Sequence, residues 1–345
     1  MTAPETLRAA RAAAQGLDRA PGRDGVDVVR SLLAVQAQEL GAARLALRAR
    51  TRGLTARTVD AALSDDRSLV VAWLLRGTLH LVAAEDHGWL LALTASRGQA
   101  GSARRLRQEG VSPDDAERAV ALIERALAGE GPLTRAQLAE RLAERGMPTA
   151  GQAMPHLLGL AARRGVAVLG PVREDGHAFV AVRDWSRSSA RPADPLAELA
   201  RRYLRGHGPA TAADLAAWSG LPLRDARAGL QAIATELTVH GDGLVDLAGR
   251  EPPGSEALAP RLLPRFDPYL LGWRDRSFAV AGEHARRVHP GGGMLRAVAL
   301  ARGVAVGTWT APKGAVAVEP FAPLDDDVAH ALEAEAADVA RFESV

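Results

Sequence analysis

The chain has 345 residues, 47% of them apolar, and a net charge of only +2, so it suits several small domains with real cores. It has no cysteine, which excludes disulfides, thiol catalysis, cysteine-held zinc and iron–sulfur clusters. The nine histidines show no metal-ligand spacing, so we expect no metal and no cofactor, and any nucleic-acid surface must come from local clusters of arginine.

The N-terminal part predicts two helices. Apolar residues recur at helical spacing over residues 26–38, so Gln36-Ala37-Gln38 falls at the end of the first predicted helix. Gly41 interrupts the pattern, and a second helical stretch covers residues 42–50.

A shorter helix and a β-like run follow. Thr55 is a candidate N-cap for a helix over about 56–64, and residues 69–82 form one β-like run. Within that run Arg76 and His80 stand at even spacing, which would place them on one face of a strand. Together these elements predict a first, variant winged-helix unit.

Two later segments repeat one pattern. Thr134 and Thr211 each stand before a helix, with Gln137 or Asp214 three residues on as the partner in a capping box. A second helix and two short β-runs around a tight turn follow, which is the winged-helix pattern. The predicted β-runs are residues 166–169 and 178–182 around a turn at 174–176 in the first repeat, and residues 238–240 and 244–247 in the second.

The predicted fold class is therefore α+β, with tandem winged-helix units, three in number, and a small C-terminal α/β segment. That segment combines a hairpin over residues 302–309, a strand over 316–321 and an acidic amphipathic helix over 327–342. The predicted boundaries are 1–110, 111–190, 191–255 and 256–345.

Four segments in this order resemble the winged-helix DNA glycosylases of the azinomycin-resistance (AlkZ-like) family. They are residues 35–38 (VQAQ), residues 76–80 (RGTLH), residues 263–272 (LPRFDPYLLG) running on to Arg276, and residues 303–309 (GVAVGTW). The resemblance implies winged-helix motifs around a concave, positively charged channel for double-stranded DNA. It also implies excision of alkylated purines, including bulky N7-guanine adducts and crosslinks from natural-product genotoxins, and so a role in DNA repair and self-resistance.

The resemblance makes Gln36 and Gln38 the catalytic residues, of the Gln-apolar-Gln branch; a sister branch has Asp at the second position. An N7-alkylguanine already carries positive charge and leaves without a general acid, so two amides that position a water can suffice. On a regular helix, residues two apart point about 200° from each other, so either the helix ends there and both face one site, or one glutamine acts indirectly. The alternative is two ordinary polar residues at a helix end.

Lysine is almost absent, which bears on mechanism. A glycosylase with lyase activity needs an amine for a Schiff base, and only Lys313, in a predicted loop, and the α-amino group are present. We therefore expect a monofunctional enzyme that uses water.

Five further residues are candidate DNA-binding or channel-lining groups. Arg76 would contact phosphate and His80 would line the channel, or the two form a structural buried pair. Asp267 would orient a water or hold Arg276, or simply form a turn. Arg274 and Arg276 are candidate phosphate clamps, or ordinary surface arginines.

Two other functions remain open at this point: a non-catalytic winged-helix DNA-binding regulator, and a protein that sequesters damaged DNA. The N-terminus lacks a signal-peptide core, and the longest apolar run, residues 69–75, is too short to span a bilayer. We expect a monomeric cytoplasmic protein that binds no membrane.

Overall fold

The computed structural model describes residues 4–95, 99–174, 176–185, 191–251 and 258–344. Its helices are α1 Pro4–Ala14, α2 Gly25–Leu32, α3 Leu40–Arg48, α4 Ala56–Ser64, α5 Ala84–Thr94, α6 Gln99–Gln108, α7 Pro113–Glu130, α8 Arg135–Ala143, α9 Ala153–Arg163, α10 Val182–Trp185, α11 Pro195–His207, α12 Ala212–Ser219, α13 Leu223–Ala232, α14 Pro268–Leu271, α15 Ala285–Val288 and α16 Asp326–Glu343. Its strands are β1 Val35–Gln36, β2 Leu69–Trp73, β3 Leu79–Ala83, β4 Ala167–Arg173, β5 Gly176–Ala181, β6 Leu237–Val239, β7 Val245–Leu247, β8 Arg261–Leu263, β9 Val298–Ala301, β10 Val304–Thr310 and β11 Ala317–Pro320.

The chain divides by its internal contacts into two compact units. One combines Met1–Val59 with Asp194–Val345, and the other is Asp60–Ala193. In the second unit β3, β2, β4 and β5 lie side by side and antiparallel, and in the first unit β11, β10, β9 and β8 form an antiparallel sheet beside a separate β6–β7 hairpin. The sheets are open, and the predicted α+β class is confirmed.

The predicted helix caps are present in both repeats. Thr134 and Gln137 form a capping box at the start of α8, and Thr211 and Asp214 form one at the start of α12. Each helix is followed by a second helix and a hairpin, in the order predicted for a winged-helix unit. Asp175, in the predicted turn of the first repeat, lies outside the described residues, and the number of units and the four segment boundaries stay predictions.

The prediction of a single β-run over residues 69–82 is wrong. The structure divides it into β2 and β3, with Trp73 opposite Leu79 and a turn of 3-10 helix at Leu75–Gly77 between them. Arg76 lies in that turn with a left-handed φ of 55°, so it shares no strand with His80. Spacing along the sequence failed here because the turn changes the alternation of faces.

β11 and α16 lie close to their predicted positions, whereas the predicted hairpin over residues 302–309 holds only the turn and strand β10. Its partner strand β9 lies earlier in the chain, and the hairpin turns at Arg302 and Gly303 with φ values of 49° and 75°. A buried cluster that includes Leu262, Trp309 and Leu332 joins α16 to this sheet. Among the described helices, none is both long enough and apolar enough to cross a membrane.

Candidate active site

The backbone changes from helix to extended chain just before the two glutamines. α2 begins with a capping box at Asp24 and ends at Leu32, and Leu33 then takes a φ of 68°, outside the helical region. The predicted helix over residues 26–38 therefore stops earlier than the apolar pattern indicated. Extended backbone follows at Val35–Gln36.

Extended backbone brings the two glutamine side chains together. Side chains two apart on such a segment point to the same side, and here Val35 and Ala37 are buried while Gln36 is half-buried and Gln38 is exposed. Nε2 of Gln36 donates a hydrogen bond to Oε1 of Gln38 at 2.7 Å. The geometric requirement for a shared site, a helix that ends before the second glutamine, is met, and the catalytic role itself stays a prediction.

The chain after the glutamines is held by the loop between β8 and α14. Glu39 occupies the N-cap position of α3, and its Oε1 lies 3.0 Å from Nη1 of Arg265 on that loop. A second contact joins Nη2 of Arg265 to Sδ of Met294 at 3.7 Å. Gly41 lies inside α3 rather than between helices, so the glutamines stand directly before a helix start.

Asp267 fixes the same loop to the other end of α3. Its carboxylate has no exposed surface and accepts hydrogen bonds from Nη1 and Nη2 of Arg50 at 2.9 and 2.7 Å. It also caps α14 by accepting from the backbone N of Tyr269. Arg50, not Arg276, is therefore the partner of this carboxylate.

Arg274 and Arg276 follow α14 and line an open pocket of about 500 Å³. The backbone N of Arg274 donates to Oδ1 of Asp214 at 3.0 Å, and its side chain is exposed. Nε of Arg276 donates to the carbonyl of Leu270, and burial lowers the pKa of this half-buried guanidinium from its ordinary value. Contact of both side chains with phosphate stays a prediction.

Arg76 and His80, in the second unit, fit neither of the two interpretations in full, that is, two channel-lining residues or a structural buried pair. Arg76 is exposed in its turn, whereas His80 is 2% exposed in β3 with Nδ1 3.0 Å from the carbonyl of Thr78. Burial and the charge of Arg76 lower the pKa of His80 to about 3, so the ring is neutral at pH 7. The two do not form a buried pair.

Two buried histidines should make the second unit sensitive to acid. His87 in α5 is 1% exposed, its ring nitrogens have no hydrogen-bond partner among the described residues, and burial lowers its pKa to about 4. The folded-state pKa values of His80 and His87 lie below the ordinary 6.5, so the unfolded chain binds protons first as the pH falls. The free energy of unfolding is therefore highest above pH 6.5 and decreases as the pH drops below that value. By pH 4.5 each histidine should cost about 2.5 kcal/mol in the free energy of unfolding.

Urea unfolding at pH 7 and pH 4.5 measures this loss. His87→Leu should remove about half of it, because leucine has no proton to bind in the unfolded chain. His330→Leu is the matched control, since it replaces an exposed histidine on α16 and leaves both buried rings in place. If His87→Leu were as acid-sensitive as the parent protein, the buried neutral state would be refuted.

Metal binding and covalent chemistry would require a cluster of metal-ligating side chains and an accessible amine. Within the described ranges, no three His, Asp or Glu side chains are grouped to hold a metal ion. Lys313 lies in a short 3-10 helix, Pro312–Gly314, rather than in an irregular loop, and its side chain is outside the described part of the structure. The expected absence of a metal and of a Schiff-base amine stays a prediction.

Sequence reasoning missed the ion pairs that hold both ends of α3, the helix directly after the glutamines. Arg50 is one of many arginines in the chain, and nothing in its neighbours marks it as completely buried. Glu39 and Arg265 are far apart in sequence, and Arg265 gave no signal beyond its place in the segment 263–272. The one available clue was Asp267 before Pro268, a common start for a helix.

Comparisons with known proteins agree on one family. The family model described as DNA glycosylase AlkZ-like matches residues 29–342. An interstrand DNA cross-link repair glycosylase of Streptomyces sahachiroi is 30% identical over 343 residues, which covers 92% of this chain and 91% of the relative. The solved structure of Streptomyces sahachiroi DNA glycosylase AlkZ superposes with a TM-score of 0.80 at 28% identity, covering 99% of this chain and 96% of that one. The chain belongs to the AlkZ-like family of DNA glycosylases.

Proposed function

We propose that this protein is a monofunctional DNA glycosylase that excises N7-alkylated purines, in particular bulky guanine adducts or interstrand crosslinks. The observation that carries the proposal is the contact between Gln36 and Gln38, whose side chains meet at 2.7 Å on extended backbone. A similar protein of Streptomyces sahachiroi is named an interstrand DNA cross-link repair glycosylase, which supports crosslinks among the substrates.

The two amides would act by positioning. A carboxamide oxygen has two lone pairs, so Oε1 of Gln38 can accept a hydrogen bond from a water as well as from Gln36. The NH2 group of Gln38 would donate to a sugar or phosphate oxygen of the DNA. The bond from C1′ to N9 breaks with its electrons passing to the base, which neutralises the positive N7-alkylguanine. Water adds to C1′ and gives its proton to the solvent, because an amide is a poor base. The cationic leaving group therefore supplies most of the driving force.

The remaining predicted site residues have different places in this proposal. Arg274 and Arg276, and Arg76 on its exposed turn, would contact DNA phosphates. His80 and Asp267 are buried, so they would act by shaping the surfaces around them rather than by touching DNA. The same proposal includes a fold of three winged-helix units and membership of the Gln-apolar-Gln branch of the family. It also includes a monomeric, cytoplasmic enzyme that needs no cofactor.

The test uses a duplex with a single N7-methylguanine and a second duplex with a nitrogen-mustard crosslink between guanines. We expect both to yield an abasic site that breaks only after alkali treatment, and we expect borohydride to trap no covalent complex with the protein. Strand cleavage without alkali would contradict monofunctional chemistry. Binding that ignores damage and releases no base would indicate a regulator, and tight binding to the damaged duplex without base release would indicate a sequestering protein.

A further inference from the structure

The glutamine chemistry leaves unexplained a group of arginines around the open pocket that follows α14. Three arginines, Arg274, Arg276 and Arg286, line this pocket of about 500 Å³ together with His289. Its one acidic lining residue, Asp275, accepts from the backbone N of Ser277 at 3.1 Å and also bonds the Ser277 hydroxyl. Positive charge therefore predominates among the residues that line the pocket.

Some surface arginines of the same unit are neutralised by carboxylates. Arg201 donates to both oxygens of Glu236 at 2.8 and 2.7 Å, and Arg287 lies 3.0 Å from Oε1 of Glu319. In the part of the chain that the structure describes, neither Arg274 nor Arg286 has a carboxylate partner. What sets these two apart from other exposed arginines is that they line one pocket together with Arg276.

Like charges held together repel each other unless an anion lies between them. One of the three, Arg276, is also kept in place, since its Nε is bound to the carbonyl of Leu270. Guanidinium groups match the geometry of phosphate oxygens and hold them through paired hydrogen bonds. The pocket is open to solvent, so a phosphate that belongs to a long polymer can reach it.

We infer that this pocket binds a phosphodiester of the DNA backbone, and that Arg286 holds the strand there together with Arg274 and Arg276. The inference rests on the proposed function only in taking DNA as the partner. It assigns a role to Arg286, which no motif singled out.

A short series of contacts links the pocket to the glutamines. His289 leads into the turn in which Gly291 pairs with Met294, and Sδ of Met294 contacts Arg265. Arg265 is paired with Glu39, the residue directly after Gln38. The pocket is therefore connected through these contacts to the chain that carries the proposed catalytic pair.

Arg286→Gln and Arg287→Gln test the inference as a matched pair on α15. Each removes one positive charge, but Arg287 is paired with Glu319 and stacks on Phe321, whereas Arg286 lines the pocket. Affinity for an undamaged fluorescein-labelled 20-base-pair duplex is measured by anisotropy over a series of KCl concentrations. Arg286→Gln should weaken binding roughly 5- to 10-fold near 0.1 M salt and reduce the slope of log affinity against log salt by about 0.9. Arg287→Gln should change neither.

Equal effects of the two variants, or no effect of Arg286→Gln, would overturn the assignment. Arg274→Gln provides a second variant on a different segment, with the same expected loss, if Arg286→Gln does not fold. Because undamaged DNA is used, the result is independent of base release. An enzyme that released no base but still showed the Arg286 effect would refute the proposed function and leave the phosphate site standing.

Discussion

Replacing Gln36 and Gln38 together with alanine should slow base release from an N7-methylguanine duplex by roughly 100-fold or more, since positioned hydrogen-bonding groups in active sites are typically worth about that much. Affinity for the duplex should change little, because neither residue is charged. The measurement is a single-turnover time course at saturating protein, with alkali treatment to reveal abasic sites.

Single variants should be nearly as slow as the double variant. Nε2 of Gln36 and Oε1 of Gln38 share one hydrogen bond, and residues that act as a unit show strongly non-additive losses. Gln38→Leu keeps the approximate size of the side chain and removes both polar groups, so it separates loss of chemistry from loss of packing. Gln108→Ala, at an exposed glutamine in the other unit, is the control and should excise normally. Undiminished excision in the double variant would remove the glutamines from the mechanism.

Asp267→Asn should lower the free energy of unfolding by about 3–5 kcal/mol, the usual cost of leaving one member of a buried ion pair without its partner. Both side chains of the Asp267–Arg50 pair have 0% exposure, so water cannot solvate the Arg50 charge that is left without its partner. Asparagine preserves the size of the side chain, and the effect therefore reports charge rather than a cavity. Urea unfolding at neutral pH measures it.

The matched control is Glu39→Gln, which breaks an exposed ion pair to the same loop. Its side chains are 43% and 38% exposed, and such pairs contribute less than about 1 kcal/mol. The double variant Asp267→Leu with Arg50→Met should recover part of the stability, because removing both charges leaves neither one buried alone. If Asp267→Asn were as stable as the parent protein but bound DNA more weakly, the role of Asp267 would be in DNA binding and not in stability.

Several features of this protein follow from local sequence. Threonine with a glutamine or aspartate three residues on forms a capping box wherever a helix starts, which is why the starts of α8 and α12 were predicted correctly. The amphipathic α16 and the turn at Gly303 were also located from local sequence, since the period of apolar residues and a turn residue specify each one within a few positions, although the first strand of that hairpin was not predicted. The resemblance of four short segments likewise located the family.

The arrangement of the candidate site was decided by tertiary structure alone. Apolar spacing continued past Leu33, yet the helix ends there and the glutamines stand on extended chain. Asp267 and Arg50 are 217 residues apart, and no local pattern pairs one particular arginine with one particular carboxylate. The sequence by itself determined which residues start helices and turns, because those preferences act over a few positions. Only long-range packing decided which charges are buried together, which remain facing the pocket, and that the two glutamines meet.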